Sequence, residues 1–321
     1  MTTREELPKK IAVLMGGPGS ERDVSLATGR GVAKALRSLG TEAVEVDVRD
    51  KDFQLPKDVD LAFIAVHGTF GEDGQLQKIL EDRGVPYTGD GVEESRHAFD
   101  KILSKEKFLE HKVATPEWEV IDAGRRPKMS VPLVVKPARQ GSTVGVVIVK
   151  NESELDGAMK EAAKYDRKLL VEKFVCGREL TIGILGDQAL PIIEIIPKGG
   201  FYDFNTKYPF LNPTAGASAQ HVCPANIDAT LTRKIQELAL QAFRALGLMV
   251  YARVDVILSD TSEPFVLEAN TIPGMTEASL LPEAAAAAGI GYPDLCARII
   301  ALSQVRQRSG EQARVKTKGK R

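Results

Sequence analysis

Apolar residues fall in short blocks whose period changes along the chain. Residues 10–15 form a compact apolar run, GGPGS follows, and residues 21–39 carry apolar positions at helical spacing. This predicts strand, glycine loop and helix, with Ser20 as N-cap and Glu21 and Asp23 at the positive helix end. Residues 43–46 alternate, and 61–66 are continuously apolar, as in a parallel strand buried on both faces. That run ends in His67-Gly68-Thr69-Phe70-Gly71-Glu72-Asp73-Gly74, ahead of a helix over 75–81. A histidine and an acidic glycine-rich loop then stand where open α/β sheets bind ligands, at a strand's carboxyl end. The first hundred residues read as one open parallel βα domain.

A helix is expected over 97–111, then an irregular stretch over 114–130. Strand 132–137 carries Lys136 inside a β-branched run, which suggests a charge facing a ligand. The loop 139–146 follows, with Ser142 and Thr143 between Gly141 and Gly145, suited to covering phosphates with main-chain donors. A strand over 147–149, a helix over 152–164 and a strand over 169–175 lead to Gly177, read as a domain hinge. Beyond a strand at 190–195, residues 197–224 show little periodicity and contain Lys207-Tyr208; so long a loop reads as an active-site cover or as disorder. A helix over 229–246 precedes two alternating runs, 253–258 and 265–270, joined by turn residues 260–264. Alternation puts Arg253 with Asp255 and Glu268 with Asn270 on single strand faces. If those faces coincide, the hairpin offers an all-oxygen site for a hard cation beside a guanidinium. Taken alone, the pattern also fits a solvated face. Helices close the chain to residue 302, and 304–321, polar and basic, reads as a disordered tail.

The 321 residues are 43% hydrophobic and 27% charged, with a net charge of −1, as expected of two or three globular domains with no global pull toward nucleic acid or anionic membrane. No apolar run is long enough for a membrane span, and the N-terminus lacks a signal-peptide core. Three scattered cysteines without C-x-x-C spacing argue against zinc or a disulfide framework and make the cytosol the default compartment. The basic tail is the one candidate contact for RNA or membrane. A nicotinamide dehydrogenase reading would rest on Gly17, Gly19 and Asp47, but the register Gly17-Pro18-Gly19-Ser20-Glu21-Arg22 lacks the third fingerprint glycine. No Walker A motif occurs.

The strand lysine, the glycine–hydroxyl loop, the spacing Glu172-x-x-x-x-Gly177-x-Glu179 and the Asp255…Glu268-x-Asn270 hairpin together resemble the ATP-grasp superfamily. The chain is similar over roughly residues 9–303 to the D-alanine–D-alanine ligase family. The most specific pieces are His67-Gly68-x-x-Gly71-Glu72-Asp73-Gly74 and Asn270-Thr271-x-Pro273-Gly274-Met275-Thr276-x-x-Ser279-Leu280-x-Pro282. The resemblance implies an α/β (α+β ATP-grasp) fold in which a parallel βα domain (1–100) precedes two subdomains (101–177 and 178–303) that sandwich ATP. It implies ligation of two D-alanines through an acyl phosphate for peptidoglycan precursor synthesis, with a D-alanine–D-lactate or other carboxylate–amine ligase as the alternative. ATP would be the co-substrate, with two Mg²⁺ that Mn²⁺ can replace, and the protein a cytoplasmic homodimer without nucleic-acid or membrane partners. By the same resemblance Lys101, Lys136 and Lys207 bind ATP, the first two at its phosphates. Glu172 and the Val175 backbone read adenine, and Glu179 the ribose. Asp255, Glu268 and Asn270 hold metal, and Arg253 and the Gly274 N–H hold the oxyanion. Glu21 takes the first D-alanine's ammonium with His67 near its carboxylate, and Ser279 takes the second carboxylate. Ser142 and Tyr208 link to Glu21 over the closed site. Lys207-Tyr208 matches the D-alanine-specific form, and the basic tail lies outside the family pattern.

Overall fold

The computed structural model describes residues 7–141, 143–197 and 219–318, with side chains up to Ser309. Among the described residues three sheets make the frame. β1 (Lys10–Gly16), β2 (Glu42–Val48) and β3 (Leu61–Ile64) form a parallel sheet in the order β2-β1-β3. The middle strand β1 is buried along nearly its whole length, as a parallel strand covered on both faces must be. Helix α1 (Arg22–Ser38) covers one face through Val32, Ala33 and Leu36; α2 (Gln75–Asp82) covers the other through Leu76 and Leu80.

The second sheet is antiparallel, in the order β4 (Trp118–Asp122), β7 (Lys168–Lys173), β5 (Leu133–Pro137), β6 (Val147–Val149). Helix α5 (Glu152–Ala162) packs Leu155, Ala158 and Met159 against its Val135 and Val171. The third sheet runs β11 (Gln220–Val222), β10 (Ile193–Ile196), β8 (Gly177–Leu185), β12 (Tyr251–Ser259), β13 (Pro264–Asn270), with β9 (Gln188–Ala189) on β8. Helix α6 (Ala229–Ala245) covers it through Ile235, Ala239 and Ala242. Helices α7 (Leu280–Ala287) and α8 (Tyr292–Lys318) join the core of the parallel sheet, where Leu281, Ala285 and Ile299 meet Ile11, Val32 and Tyr251. The third sheet is thereby held to the first by a shared apolar core.

Several local expectations change. Glu21, not Ser20, is the N-cap of α1, and its side chain makes no capping bond; the carboxylate turns toward Gly68 instead. The helix expected over 97–111 is two helices, α3 (Val92–Phe99) and α4 (Lys101–Glu110). Asp100 is extended between them and its Oδ1 accepts from the N–H groups of Ile102 (3.0 Å) and Leu103 (3.3 Å). An aspartate cap starts a new helix and makes Lys101 its first residue. Strand β4 lies within the stretch expected to be irregular. Gly177 begins β8 rather than a free hinge: a Cβ there would sit 2.0 Å from the Leu258 carbonyl oxygen, so the close approach of β12 demands glycine. The tail expected to be disordered from 304 onward continues as helix to Lys318. Its Gln, Arg, Glu, Ala and Lys residues are good helix formers, and α8 is anchored where Gln307 donates to the Tyr87 carbonyl (2.9 Å) and Arg306 stacks on the Tyr87 ring (4.7 Å). Asp47, which carried the dehydrogenase reading, is bound by Arg22 (2.8 Å) and Arg49 (3.0 Å), and the Arg22 guanidinium holds its pKa low. No single helix among the described residues is long and apolar enough to cross a membrane.

One buried acid makes a test of this packing. Asp90 accepts the Met249 N–H (2.7 Å) and the Val250 N–H (3.2 Å) at the start of β12. Burial pushes its carboxyl up to about 7, against the pull of those N–H groups and of Arg306. Between the ordinary value and 7 the folded state keeps a proton that the unfolded chain releases. This contribution is therefore full below the unfolded pKa and is lost as pH rises through 7. The melting temperature should fall by several degrees between pH 5 and pH 8 (~3 pH units). Asp90→Asn keeps an acceptor oxygen and should flatten that slope; thermal unfolding of both proteins across the range checks it, and parallel slopes would contradict it.

Candidate active site

The hairpin of β12 and β13 is the floor of the site. Its register pairs Arg253 with Asn270 and Asp255 with Glu268, so all four side chains lie on one face, and a bulge follows between Asp255 and Val256. The Arg253 guanidinium grips Asp255 with both arms, Nε to Oδ1 at 2.9 Å and Nη2 to Oδ2 at 2.8 Å. Thr181 on β8 donates to Asp255 Oδ1 (2.6 Å), and Asn270 Nδ2 donates to Oδ2 (3.2 Å). Glu268 pairs with Lys101 at 3.0 Å. Two carboxylates face to face with a carboxamide one pair along make an all-oxygen donor set that fits a hard divalent cation. In this arrangement the chain's own cations, Arg253 and Lys101, neutralise those carboxylates. Among the described residues no cluster of three His, Cys, Asp or Glu side chains is gathered; the third donor here is the Asn270 amide.

Two elements carry lysines to the hairpin. Helix α4 begins where the Lys101 N–H donates to Ala138, and Lys101 Nζ also donates to the Gln140 carbonyl (2.7 Å). One turn later Lys105 is 1% exposed. Its ammonium bonds both Glu172 and the Thr115 hydroxyl, which in turn donates to the Val266 carbonyl (2.7 Å). Glu172, also 1% exposed, sits on β7 between Lys105 and Lys136 of β5 and pairs with both. Burial alone would raise the Glu172 pKa, but the two ammoniums outweigh it and hold the carboxyl below its usual range.

Between the second and third sheets lies a cleft. Val134, Val146 and Ile148 line one wall, and Leu180, Ile195 and Leu267 the other. The connection Lys173-Phe174-Val175 closes one end, while Lys101, Lys136, Arg253, Asp255 and Glu268 stand at the charged part. Glu179 faces the same space. Burial, helped by the charge of Asp255 and opposed by Lys136, pushes its pKa up to about 7. An apolar slot with cations and carboxylates grouped together suits a flat base attached to a polyanion.

The parallel sheet adds a second side to the site. His67 is 4% exposed, with Nδ1 at 2.8 Å from the Ile272 carbonyl and Nε2 at 2.9 Å from Thr28 Oγ1. A carbonyl can only accept, so Nδ1 carries the proton toward Ile272. The Met275 N–H donates to Thr28 Oγ1 (3.4 Å). His67 and Thr28 thus tie α1 to the loop that presents Gly274. Ser279 accepts from the Thr276 N–H (3.0 Å) within that loop. Glu21 reaches over Gly68, whose φ of +67° suits glycine; a Cβ on Gly68 would lie 2.6 Å from Glu21 Oε2, and one on Gly141 3.1 Å from the same oxygen. Glu21 therefore meets the glycine–hydroxyl loop. Ser142, Lys207 and Tyr208 lie outside the described residues.

The structure brings together Lys101, Lys136, Glu172, Val175, Glu179, Arg253, Asp255 and Glu268 at one cleft, with Asn270 on the hairpin beside them. It adds Lys105, Thr181 and Thr28, which sequence reasoning passed over. Lys105 follows Lys101 by four residues, which places both on one helix face. Thr181 follows Glu179 by two on a strand and so shares its face. Thr28 left no readable signal.

The chain matches the family models described as D-ala D-ala ligase N-terminus over residues 39–90 and D-ala D-ala ligase C-terminus over residues 103–301. A D-alanine–D-alanine ligase of Methylacidiphilum infernorum is 47% identical over 300 residues, covering 94% of this chain and 97% of that protein. One from Geobacter sulfurreducens is 46% identical, covering 95% and 97%. The crystal structure of a D-alanine–D-alanine ligase from Bacillus anthracis complexed with ATP superposes with a TM-score of 0.81 at 34% identity, covering 95% of this chain and 100% of that one. A D-Ala:D-Ser ligase from Enterococcus faecalis gives 0.81 at 27% identity, covering 92% and 100%. The three-sheet frame, the cleft and these likenesses agree: the chain belongs to the D-alanine–D-alanine ligase family of the ATP-grasp superfamily.

Proposed function

We propose that this protein joins two D-alanines into D-alanyl-D-alanine at the expense of ATP, for peptidoglycan precursor synthesis. The observation that carries the reading is the convergence of Lys101, Lys136, Arg253 and the facing carboxylates Asp255 and Glu268 on one cleft. The two subdomains sandwich the nucleotide. Its base lies in the apolar slot against the 173–175 connection, where Glu172 and the Val175 backbone read adenine. Glu179 holds the ribose, and Lys101 and Lys136 the phosphates; Lys207 is a further ATP-binding residue. Asp255, Glu268 and Asn270 are the residues that would hold two Mg²⁺ or Mn²⁺ ions. When bound, such ions screen the triphosphate and polarise the phosphoryl group being transferred.

Glu21 pairs with the ammonium of the first D-alanine and so brings its carboxylate to the terminal phosphate. The carboxylate oxygen attacks phosphorus and ADP leaves. The amine of the second D-alanine then attacks the acyl phosphate, and the resulting oxyanion is held by Arg253 and the Gly274 N–H until phosphate departs. Ser279 holds the second carboxylate. His67, with both ring nitrogens committed to Thr28 and Ile272, fixes the loop that carries Gly274. Ser142 and Tyr208 are assigned, with Glu21, to keeping water from the acyl phosphate. The protein works in the cytoplasm as a homodimer; light scattering of the purified protein tests the dimer.

Incubation with ATP, Mg²⁺ and a panel of D-amino and D-hydroxy acids, followed by mass spectrometry, tests the substrate assignment. The expected product is the D-alanine dipeptide, with one ADP and one phosphate for each. A mixed product with D-lactate or D-serine formed in preference would overturn the second-substrate assignment.

A further inference from the structure

Glu172 is one anion held between two ammoniums, Lys105 and Lys136. The two lysines differ in what else they touch. The Lys136 side chain is 12% exposed and lines the cleft, whereas Lys105 is sealed off from it behind Glu172. Lys105 is seated on the Thr115 hydroxyl, which is bonded to the backbone of β13, the strand that carries Glu268 and Asn270. Lys136 can move to an arriving polyanion; Lys105 cannot. If Glu172 had Lys136 as its sole counter-ion, moving Lys136 to a phosphate would strand a buried carboxylate, and breaking a buried pair is strongly unfavourable.

We propose that Lys105 is a positioning residue for nucleotide binding: as the permanent counter-ion of Glu172, it frees Lys136 to transfer to the phosphates and keeps Glu172 fixed against the base. The inference rests on the assignment of Lys136 to the ATP phosphates. It makes Glu172 a relay between a fixed cation and a mobile one.

The test measures the dissociation constant of MgATP by calorimetry, and KM for D-alanine, in a set of variants. Lys105→Met should raise the dissociation constant about 30-fold while KM for D-alanine stays within about threefold of wild type. The double variant K105M/E172Q should recover to within about fivefold of wild type, because Lys136 is no longer held and glutamine keeps a carbonyl oxygen for the base. A merely structural role for Lys105 would weaken both substrates together, with no rescue by Glu172→Gln. If Lys105→Met does not fold, Thr115→Val, which removes one seat of the ammonium, should raise the ATP constant about fivefold and leave D-alanine unaffected. Wild-type ATP affinity in the lysine variant, or equal losses for both substrates without rescue, overturns the proposal. Lys136→Met is measured alongside: if it binds ATP as wild type does, the phosphate assignment itself fails, independently of Lys105.

Discussion

Glu268→Gln should abolish turnover almost completely while leaving the fold intact. Glu268 faces Asp255 across the hairpin and pairs with Lys101, so one carboxylate links the candidate metal site to the lysine proposed to bind phosphate. Glutamine keeps the shape and one acceptor oxygen but removes the charge that binds a divalent ion. A Lewis acid on a transferring phosphoryl group contributes several kcal/mol, and at about 1.4 kcal/mol per tenfold this corresponds to a loss of ~10³ in kcat. The strand pairing of β13 uses backbone groups that the substitution does not touch. Circular dichroism and melting temperature should therefore stay near wild type. A folded variant with wild-type turnover would rule out Glu268 as a metal ligand.

Arg253→Ala should cost turnover far more than ATP affinity. Arg253 is 5% exposed and enters the charged part of the cleft from the floor. In the proposed role of donor to an oxyanion it acts in the transition state, and loss of one such donor costs about 10²–10³ in kcat. KM for ATP should change by less than about fivefold, since uniform binding energy is not removed. The bidentate contact with Asp255 offers a competing explanation, that Arg253 only holds a metal ligand in place. Thr181 and Asn270 still fix Asp255 in the variant. If the oxyanion role is right, the Mg²⁺ activation constant stays put while kcat falls. A shifted Mg²⁺ constant with kcat restored at saturating metal would assign Arg253 to the metal site instead.

Much of this site is legible in the sequence because strands expose their faces by alternation. Arg253, Asp255, Glu268 and Asn270 interrupt two apolar runs at even spacing, and their registration follows from a short turn between the strands. Lys136 is legible for the same reason, since an ammonium inside a β-branched strand needs a partner. The buried charge network is not legible. The four-residue spacing puts Lys105 on one helix face with Lys101 but does not mark it as buried, and its partner Glu172 arrives from a strand far along the chain. The break at Asp100 is hidden because an aspartate within a helical pattern reads equally as a surface residue or as a cap. His67 was visible as a histidine at a strand end, yet its partners, Thr28 and the Ile272 carbonyl, come from opposite sides of it in sequence. The end of α8 misled by composition, since polar residues that form good helix are also those of solvated tails.

In the proposed reaction a D-alanine carboxylate is phosphorylated by ATP in this cleft before the peptide bond forms. D-alanine carrying heavy oxygen in its carboxylate tests it directly, by mass spectrometry of the inorganic phosphate released during turnover. Each phosphate should carry one heavy oxygen transferred from the substrate. Phosphate free of label, released while dipeptide accumulates, would contradict the acyl-phosphate route and the roles proposed for Arg253 and Lys136.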